Sequence, residues 1–591
     1  MNFKRLSMCL LLSLSLLSSC EMGSDNGNDK PGDAFIVTWQ NHDGAVLEID
    51  ENVAFDTIPT YDGDLPTKVN DGQFVYTFSG WSPEITSAVE DITYVAQFQS
   101  TSINHNELLN FVERATDVVI TGLNSDNYTI VNLPNTLSGK PVTAISDGAF
   151  VDQIHLSSII IPEGVSSVGD HAFDGCVELV SATLPNSVTA IGDNAFANCS
   201  SLSAIDIPEN ITVLGNNIFA NCKNLAQITL PEGLEIIGTS AFYACPSLVA
   251  IEMPLSVHSI GARAFYSCVK LVTLTIPNGV TSIGEFMFSN CLELRTITLP
   301  NNLLLLGSSA FSNCPSLEEI TIPNGVTTIE NYTFSNCTSL ESVTIAQSVV
   351  AIGKKAFSGC TNLAAILLPE GVKTIGESAF SNCSNLASIT IPNTIISLSA
   401  NIFYGCSSLV YNVDDNNVAY LGNDTTPYLI LIKAQDETIA TCTIKNTTLI
   451  IYQNAFSLCG DLVSITIPNS VTTIGDNAFS LCASLATIFI PNSVVSLGEY
   501  AFAHCVSLTT VTIPNSVTTI GTRAFYNCTS LVEVYIPSSV TIIGNYAFNC
   551  NSVDLTIYCE LDYRHNDWSY SWSYNNNDYE VVWNYQFPPS P

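Results

Sequence analysis

The chain has 591 residues, beyond the size at which one compact core usually stops growing, so several domains or one elongated repeat array are expected. Its 17 Lys and Arg face 54 Asp and Glu, and a net charge of −37 repels a phosphate backbone and an anionic membrane surface alike, which argues against nucleic acid as a partner. With 46% hydrophobic and only 12% charged residues, it is a chain that buries a large core rather than a disordered acidic one.

At the N-terminus, Lys4 and Arg5 precede an apolar run from Met8 to Leu17 that is too short for an ordinary spanning helix. Residues 1–20 are read as a processed signal, ending in Leu17-Ser18-Ser19-Cys20. That ending resembles a bacterial lipobox, which implies that Cys20 is lipidated and becomes the membrane anchor. Residues 21–34, rich in Gly, Asn and Asp, read as a flexible tether.

Residues 35–99 follow a different pattern from everything after them. FIVTWQNHDGAVLEI alternates around Asp43-Gly44, a hairpin turn signal, and QFVYTFSGWSP and ITYVAQF supply further aromatic and β-branched strands. The runs Val37-Thr38-Trp39, Pro59-Thr60-Tyr61, Tyr76-Thr77-Phe78-Ser79-Gly80-Trp81 and Tyr94-Val95-Ala96-Gln97-Phe98 resemble the B-repeat of internalin-type surface proteins, the Listeria-Bacteroides repeat. The resemblance implies a small β-grasp-like spacer or adhesion module without catalysis.

From Phe150 to Phe403 a phenylalanine recurs every 23 residues, and five more follow from Phe456 to Phe548, marking seventeen turns. The organisation expected is an N-terminal cap at 100–149, repeats at 150–410, an insert at 411–446, repeats at 447–550 and a C-terminal cap at 551–591. Each repeat reads Leu-x-x-Ile-x-Ile-Pro-Asn-Ser-Val-x-x-Ile-Gly-x-x-Ala-Phe-x-x-Cys, as in Leu462 to Cys482. Ile-x-Ile is a strand ended by proline, the glycine permits a tight corner, and Asp-Asn-Ala-Phe makes a short helix or turn. One unit cannot bury its apolar side alone, so the product is a solenoid. In the insert, YLILIK and ATCTIK flanking Gln435-Asp436-Glu437 read as a β-hairpin standing out from one coil. The Ile-Pro-Asn-Ser-Val, Ile-Gly and Ala-Phe-x-x-Cys tokens resemble the BspA-like leucine-rich repeat, which implies a leucine-rich solenoid, and Tyr420-Leu421-Gly422-Asn423 with Pro427-Tyr428-Leu429 resembles the hairpin insert of that family. The asparagine usual after the strand of general leucine-rich repeats is missing, so their asparagine ladder is in doubt.

Fifteen cysteines stand three residues after a repeat phenylalanine, a spacing unlike zinc-ligand pairs. Stacked coils bring equivalent cysteines to about 4.8 Å, inside disulfide range, but their side chains point in parallel, so they are read as buried packing residues. Cys442, Cys550 and Cys559 fall outside the register, and a bridge among them stays open.

No HExxH, nucleophile elbow or P-loop occurs, and no catalytic residue, metal site or cofactor is assigned. His504-Cys505 is read as repeat positions, and Asp414-Asp415-Asn416-Asn417 as a solvated turn rather than a calcium loop. The outward slot before the last Ile of the strand holds Thr183, Thr229, Thr275, Thr298, Thr321, Thr344, Thr390, Thr466 and Thr512, with Phe489 and Tyr535 as the aromatic candidates for ligand contact. Trp568, Trp572 and Trp583 read as part of a cap. The expected function is non-enzymatic binding or adhesion at the bacterial surface, to protein or glycan, with the membrane engaged through the lipid anchor. The alternative is an envelope spacer or self-associating component without a specific ligand.

Overall fold

The computed structural model describes residues 34–586 apart from 69, 71, 73, 126–127, 553 and 574–579. The expected signal, Cys20 and nearly all of the expected tether lie outside the described residues. The chain divides into two units, one ending at Ser102 and the other beginning at Ile103.

In the first unit, β1 (Ala34–Gln40), β2 (Val46–Ala54), β3 (Phe74–Ser82) and β4 (Ile92–Ser102) form one sheet in the order β2-β1-β4-β3. The central pair is parallel and both outer pairs are antiparallel. Gly44, at φ 86°, lets the chain turn between β1 and β2. Trp39 is fully buried, its ring 4.8 Å from those of both Trp81 and Tyr94, and its indole N–H donates to Asp50 at 2.9 Å. An aromatic cluster thus supplies the core that so few residues could not otherwise build.

The second unit is a β-solenoid of about 20 turns with a repeat near 23 residues. Each regular coil contributes two short parallel strands. Ser181–Thr183 pairs with Ser158–Ile160, and Ala190–Ile191 pairs with Ser167–Val168. The first is the expected Ile-x-Ile strand. The second, just before the glycine, is two residues long and was not legible as a strand.

The segment leading into each phenylalanine is turn, not helix; among the described residues the only helix is His105–Leu108. Here the backbone donors bond the next coil: Asn194, Phe196 and Asn198 N–H reach the carbonyls of Asn216, Ile218 and Ala220 at 2.7–3.0 Å. To aim alternate N–H groups along the array, the residues two before and two after the phenylalanine take positive φ, 58° at Asn194 and 59° at Asn198. Asparagine tolerates that region, which explains its frequency in these slots.

The glycine is needed for a different reason from the tight corner expected. Gly192 and Gly238 are not at positive φ, but a Cβ on them would lie 2.5 Å from Asp170 N and 2.7 Å from Asn216 N of the preceding coil. Close coil stacking, not chain reversal, excludes a side chain there.

Between Phe403 and Phe456 the hairpin lies where the family resemblance places it, and of the two runs read as its arms it keeps YLILIK and not ATCTIK. Val418–Leu421 pairs antiparallel with Ile430–Ala434, whereas the ATCTIK segment supplies Thr441–Thr443, an ordinary coil strand parallel to Ser464–Thr466. Nor does it stand out: Val418, Tyr420, Ile430 and Leu431 are fully buried, and Ile430–Ala434 joins the ladder beside Ile450–Ile451. Its apolar residues lie on the solenoid core because they have no other surface to bury against. At the C-terminal end, Trp568 and Trp572 are buried, with the Trp572 ring 6.0 Å from the ring of Phe548, the last repeat phenylalanine.

Candidate functional site: two faces of the coil

The cysteines lie inside, and they do more than fill space. Apart from Cys459, which follows the insert, each ladder Sγ donates to the carbonyl of the preceding coil's phenylalanine, as in Cys176 to Phe150 at 3.0 Å and Cys268 to Phe242 at 3.2 Å. The Phe173 and Phe265 carbonyls, which take the thiols of Cys199 and Cys291, also accept the N–H of Cys176 and Cys268 at 3.2 Å, so there the thiol occupies the second lone pair. Cys550, out of register by one residue, still joins the ladder through Phe525 O at 3.2 Å. All eighteen cysteines of the described residues, Cys442, Cys550 and Cys559 included, are free and buried.

Burial pushes the thiols of Cys176, Cys268 and Cys337 up to about 12 and holds most others well above the usual range. A thiol kept neutral is a poor nucleophile and a poor metal ligand. Cys505 is fully buried and donates to Phe479 O at 3.1 Å, while His504 accepts from Asn527 Nδ2 at 3.0 Å, so the two do not form a dyad. Asp414 spends its carboxylate on its own turn, accepting from Asn416 N, Val418 N and Tyr420 OH at 3.0–3.2 Å. Among the described residues no group of three or more His, Cys, Asp or Glu could hold a metal ion.

On the strand face the threonine column is exposed, apart from half-buried Thr390, and Thr443 extends it by pairing with Thr466. Phe489 is 70% exposed on a segment whose strand pairing has shrunk to a single bridge, Thr487 to Thr510. Tyr535 is half-buried, with its ring 4.9 Å from Tyr558 and 5.8 Å from Tyr585. Its hydroxyl donates to Glu533 at 3.2 Å, and burial followed by that carboxylate raises its pKa to about 12. Thr512 stands between the two predicted residues in the column. Tyr535 therefore belongs to a tyrosine cluster, while Phe489 projects without a ring contact among the described residues.

The opposite edge, made of the turns, was not singled out from the sequence. The positive-φ slot two before the phenylalanine holds Asn, Ser, His or Gly in most coils but Arg263, Phe286, Tyr332, Lys355, Tyr500, Arg523 and Tyr546 in seven. Each cation there faces an aromatic neighbour of the same column: Arg263 lies 5.1 Å from the Phe286 ring, Lys355 5.8 Å from Tyr332, and Arg523 5.5 and 5.4 Å from Tyr500 and Tyr546. A left-handed bulky residue costs about 1–2 kcal/mol, and an exposed cation–aromatic contact returns about 0.5–1 kcal/mol. The signal was available in the alignment of repeats, as large residues in a slot that favours small ones.

Residues 143–272, 258–364, 327–426 and 434–558 match the BspA type leucine rich repeat region, and the chain belongs to that family. Similar solved structures include a leucine-rich repeat protein from Bacteroides ovatus, 24% identical over 80% of this chain and 97% of its own, with a TM-score of 0.39. A leucine rich cell surface protein from Faecalibacterium prausnitzii is 27% identical over 81% of this chain and 94% of its own, with a TM-score of 0.24. The T. pallidum leucine rich repeat protein is 28% identical over 36% of this chain and 88% of its own, with a TM-score of 0.28. No curated protein matches.

Proposed function

We propose that this chain is a non-enzymatic bacterial surface protein, anchored through a lipid on Cys20, that presents its solenoid for binding to protein or glycan. The observation that carries the reading is the partition of chemistry between inside and outside. The repeat thiols are buried and spent on backbone carbonyls, while the outward slots form long columns of hydroxyl, aromatic and amide groups. Such a surface recognises by area and shape rather than by reaction. The order of the N-terminal sheet, with a parallel central pair, supports its reading as a β-grasp-like B-repeat module.

The anchor is tested by Cys20→Ala, which removes the acyl chains and should release the protein from the membrane fraction. Retention there with unchanged processing defeats it. Binding is tested on an array of matrix proteins and glycans, where Phe489→Thr with Tyr535→Thr should weaken a strand-face ligand. A ligand lost only on deletion of residues 35–98 belongs to the N-terminal module. Silence on the whole array, together with self-association, supports a spacer instead.

A further inference from the structure

In five consecutive coils the residue after the core phenylalanine is serine: Ser289, Ser312, Ser335, Ser358 and Ser381. The same slot holds Tyr266 one coil before the row and Tyr404 one coil after it. Ser289 and Ser312 share a hydrogen bond at 2.7 Å, as do Ser358 and Ser381 at 2.8 Å. Ser335, between the pairs, has no hydroxyl partner among the described residues. Around it the turn edge dips into a depression of about 350 Å³, whose lining includes Ser309, Asn313, Ser335, Asn336, Tyr332 and Lys355.

Two features mark this depression as more than a gap between small side chains. Tyr332 and Lys355 sit at φ 60° and 53°, in slots where Asn or Ser would be less strained. Their mutual contact, at 5.8 Å from amine to ring centroid, is the longest of the four in this column and leaves both groups open to a third. Lys355 also forms no ion pair among the described residues, although the neighbouring Lys354 binds Glu377 at 2.7 Å.

We propose that this depression binds an uncharged oligosaccharide lying along the solenoid axis, with a sugar ring stacked on Tyr332 and Lys355 donating to its oxygens. The proposal deepens the surface-binding reading by naming a ligand class, and it uses a different face from Phe489. Hydroxyl and amide groups both donate and accept, which matches a sugar and gives no apolar recess for a peptide side chain. An aromatic face serves the C–H side of a pyranose. The coil rise of about 4.8 Å is on the order of one sugar unit, so successive coils meet successive sugars. A net charge of −37 opposes a polyanion.

The test is isothermal titration of the full chain with cellohexaose, xylohexaose and mannohexaose, and with hexagalacturonate as the anionic comparison. At least one neutral hexaose should bind. Tyr332→Asn and Lys355→Asn should each weaken it at least tenfold, with an unchanged melting temperature, because asparagine already occupies this slot at positive φ at Asn194 and Asn217. Phe489→Thr should leave that affinity unchanged. Absence of binding by every neutral hexaose, tighter binding of hexagalacturonate, or indifference to both turn-edge changes overturns the proposal. Binding lost with Phe489→Thr but kept in Tyr332→Asn overturns it too, while supporting the strand-face reading. Protein ligands found on the array without any glycan leave the broader reading standing and defeat this one.

Discussion

In the coils from Phe150 to Phe403, turn-edge N–H groups find a carbonyl in the next coil, whereas at the interruption side chains take that part. Ile402 N–H donates to Tyr452 OH at 2.8 Å, and that hydroxyl donates onward to Ser399 O at 3.1 Å. Asn401 N–H donates to Gln453 Oε1 at 3.1 Å. The phenylalanine stack changes at the same place: Phe150 and Phe173 lie 5.1 Å apart and 2° from parallel, but Phe403 meets Tyr452 at 6.3 Å and 55°. A solenoid can therefore admit a hairpin where its core divides into two clusters, provided polar side chains replace the lost backbone partners. The regular coils are stabilised by repetition and the interruption by two particular residues.

The largest expected effect is alkaline unfolding of the regular coils. Their folded thiols are raised above the unfolded value, so that stability is fully present below the unfolded thiol range, near pH 8.5, and is lost as pH rises towards the folded values of about 12. Each such thiol contributes about 1.4 kcal/mol per pH unit in that window, and several together exceed the stability of an ordinary domain. Far-ultraviolet circular dichroism should show cooperative loss of structure before pH reaches 12; a fold intact at that pH would break the ladder account.

Phe311→Ala, in the middle of the stack, should cost about 3–5 kcal/mol in guanidinium unfolding. Phe403→Ala should cost less, since this ring lies 6.4 and 6.3 Å from its neighbours and is 9% exposed. Equal costs would mean that the interruption is as well packed as the regular array. Tyr452→Phe should cost about 1–3 kcal/mol by leaving Ile402 N–H and Ser399 O unpaired, and hydrogen exchange should accelerate at 399–402 before anywhere in the regular coils.

A smaller difference should appear in thiol reactivity. Cys406, the last ladder thiol before the insert, is 8% exposed, whereas Cys268 and Cys337 are fully buried. Native-state alkylation followed by peptide mapping should label Cys406 ahead of Cys268 or Cys337; uniform labelling would contradict the contrast. Phe489→Thr, which restores the residue most coils carry, should shift the melting free energy by no more than about 0.5 kcal/mol.

The 23-residue period, the buried Phe and Cys, and the outward threonines can be read directly from the chain, because one apolar pattern repeated seventeen times admits few arrangements other than a stack. Membership of the BspA-type family was legible for the same reason. Of the predicted contact residues, Phe489 lies exposed as expected, whereas Tyr535 packs beside Tyr558 and Tyr585, whose positions depend on how the irregular C-terminal turn folds back.

Other features were set only when coil met coil. The asparagine ladder placed in doubt is replaced by another, in which Asp147, Asp170, Asp193 and Asn216 accept N–H groups of the next coil at 2.6–2.9 Å. The docking of the insert onto the ladder, the glycine whose Cβ would strike the preceding coil, and the left-handed slots that carry Tyr332 and Lys355 are of the same kind. A repeat pattern determines which residues turn inward because burial depends on local periodicity. It does not determine where a backbone N–H finds its carbonyl, because that partner lies 22 residues away and exists only once the next coil has been laid down.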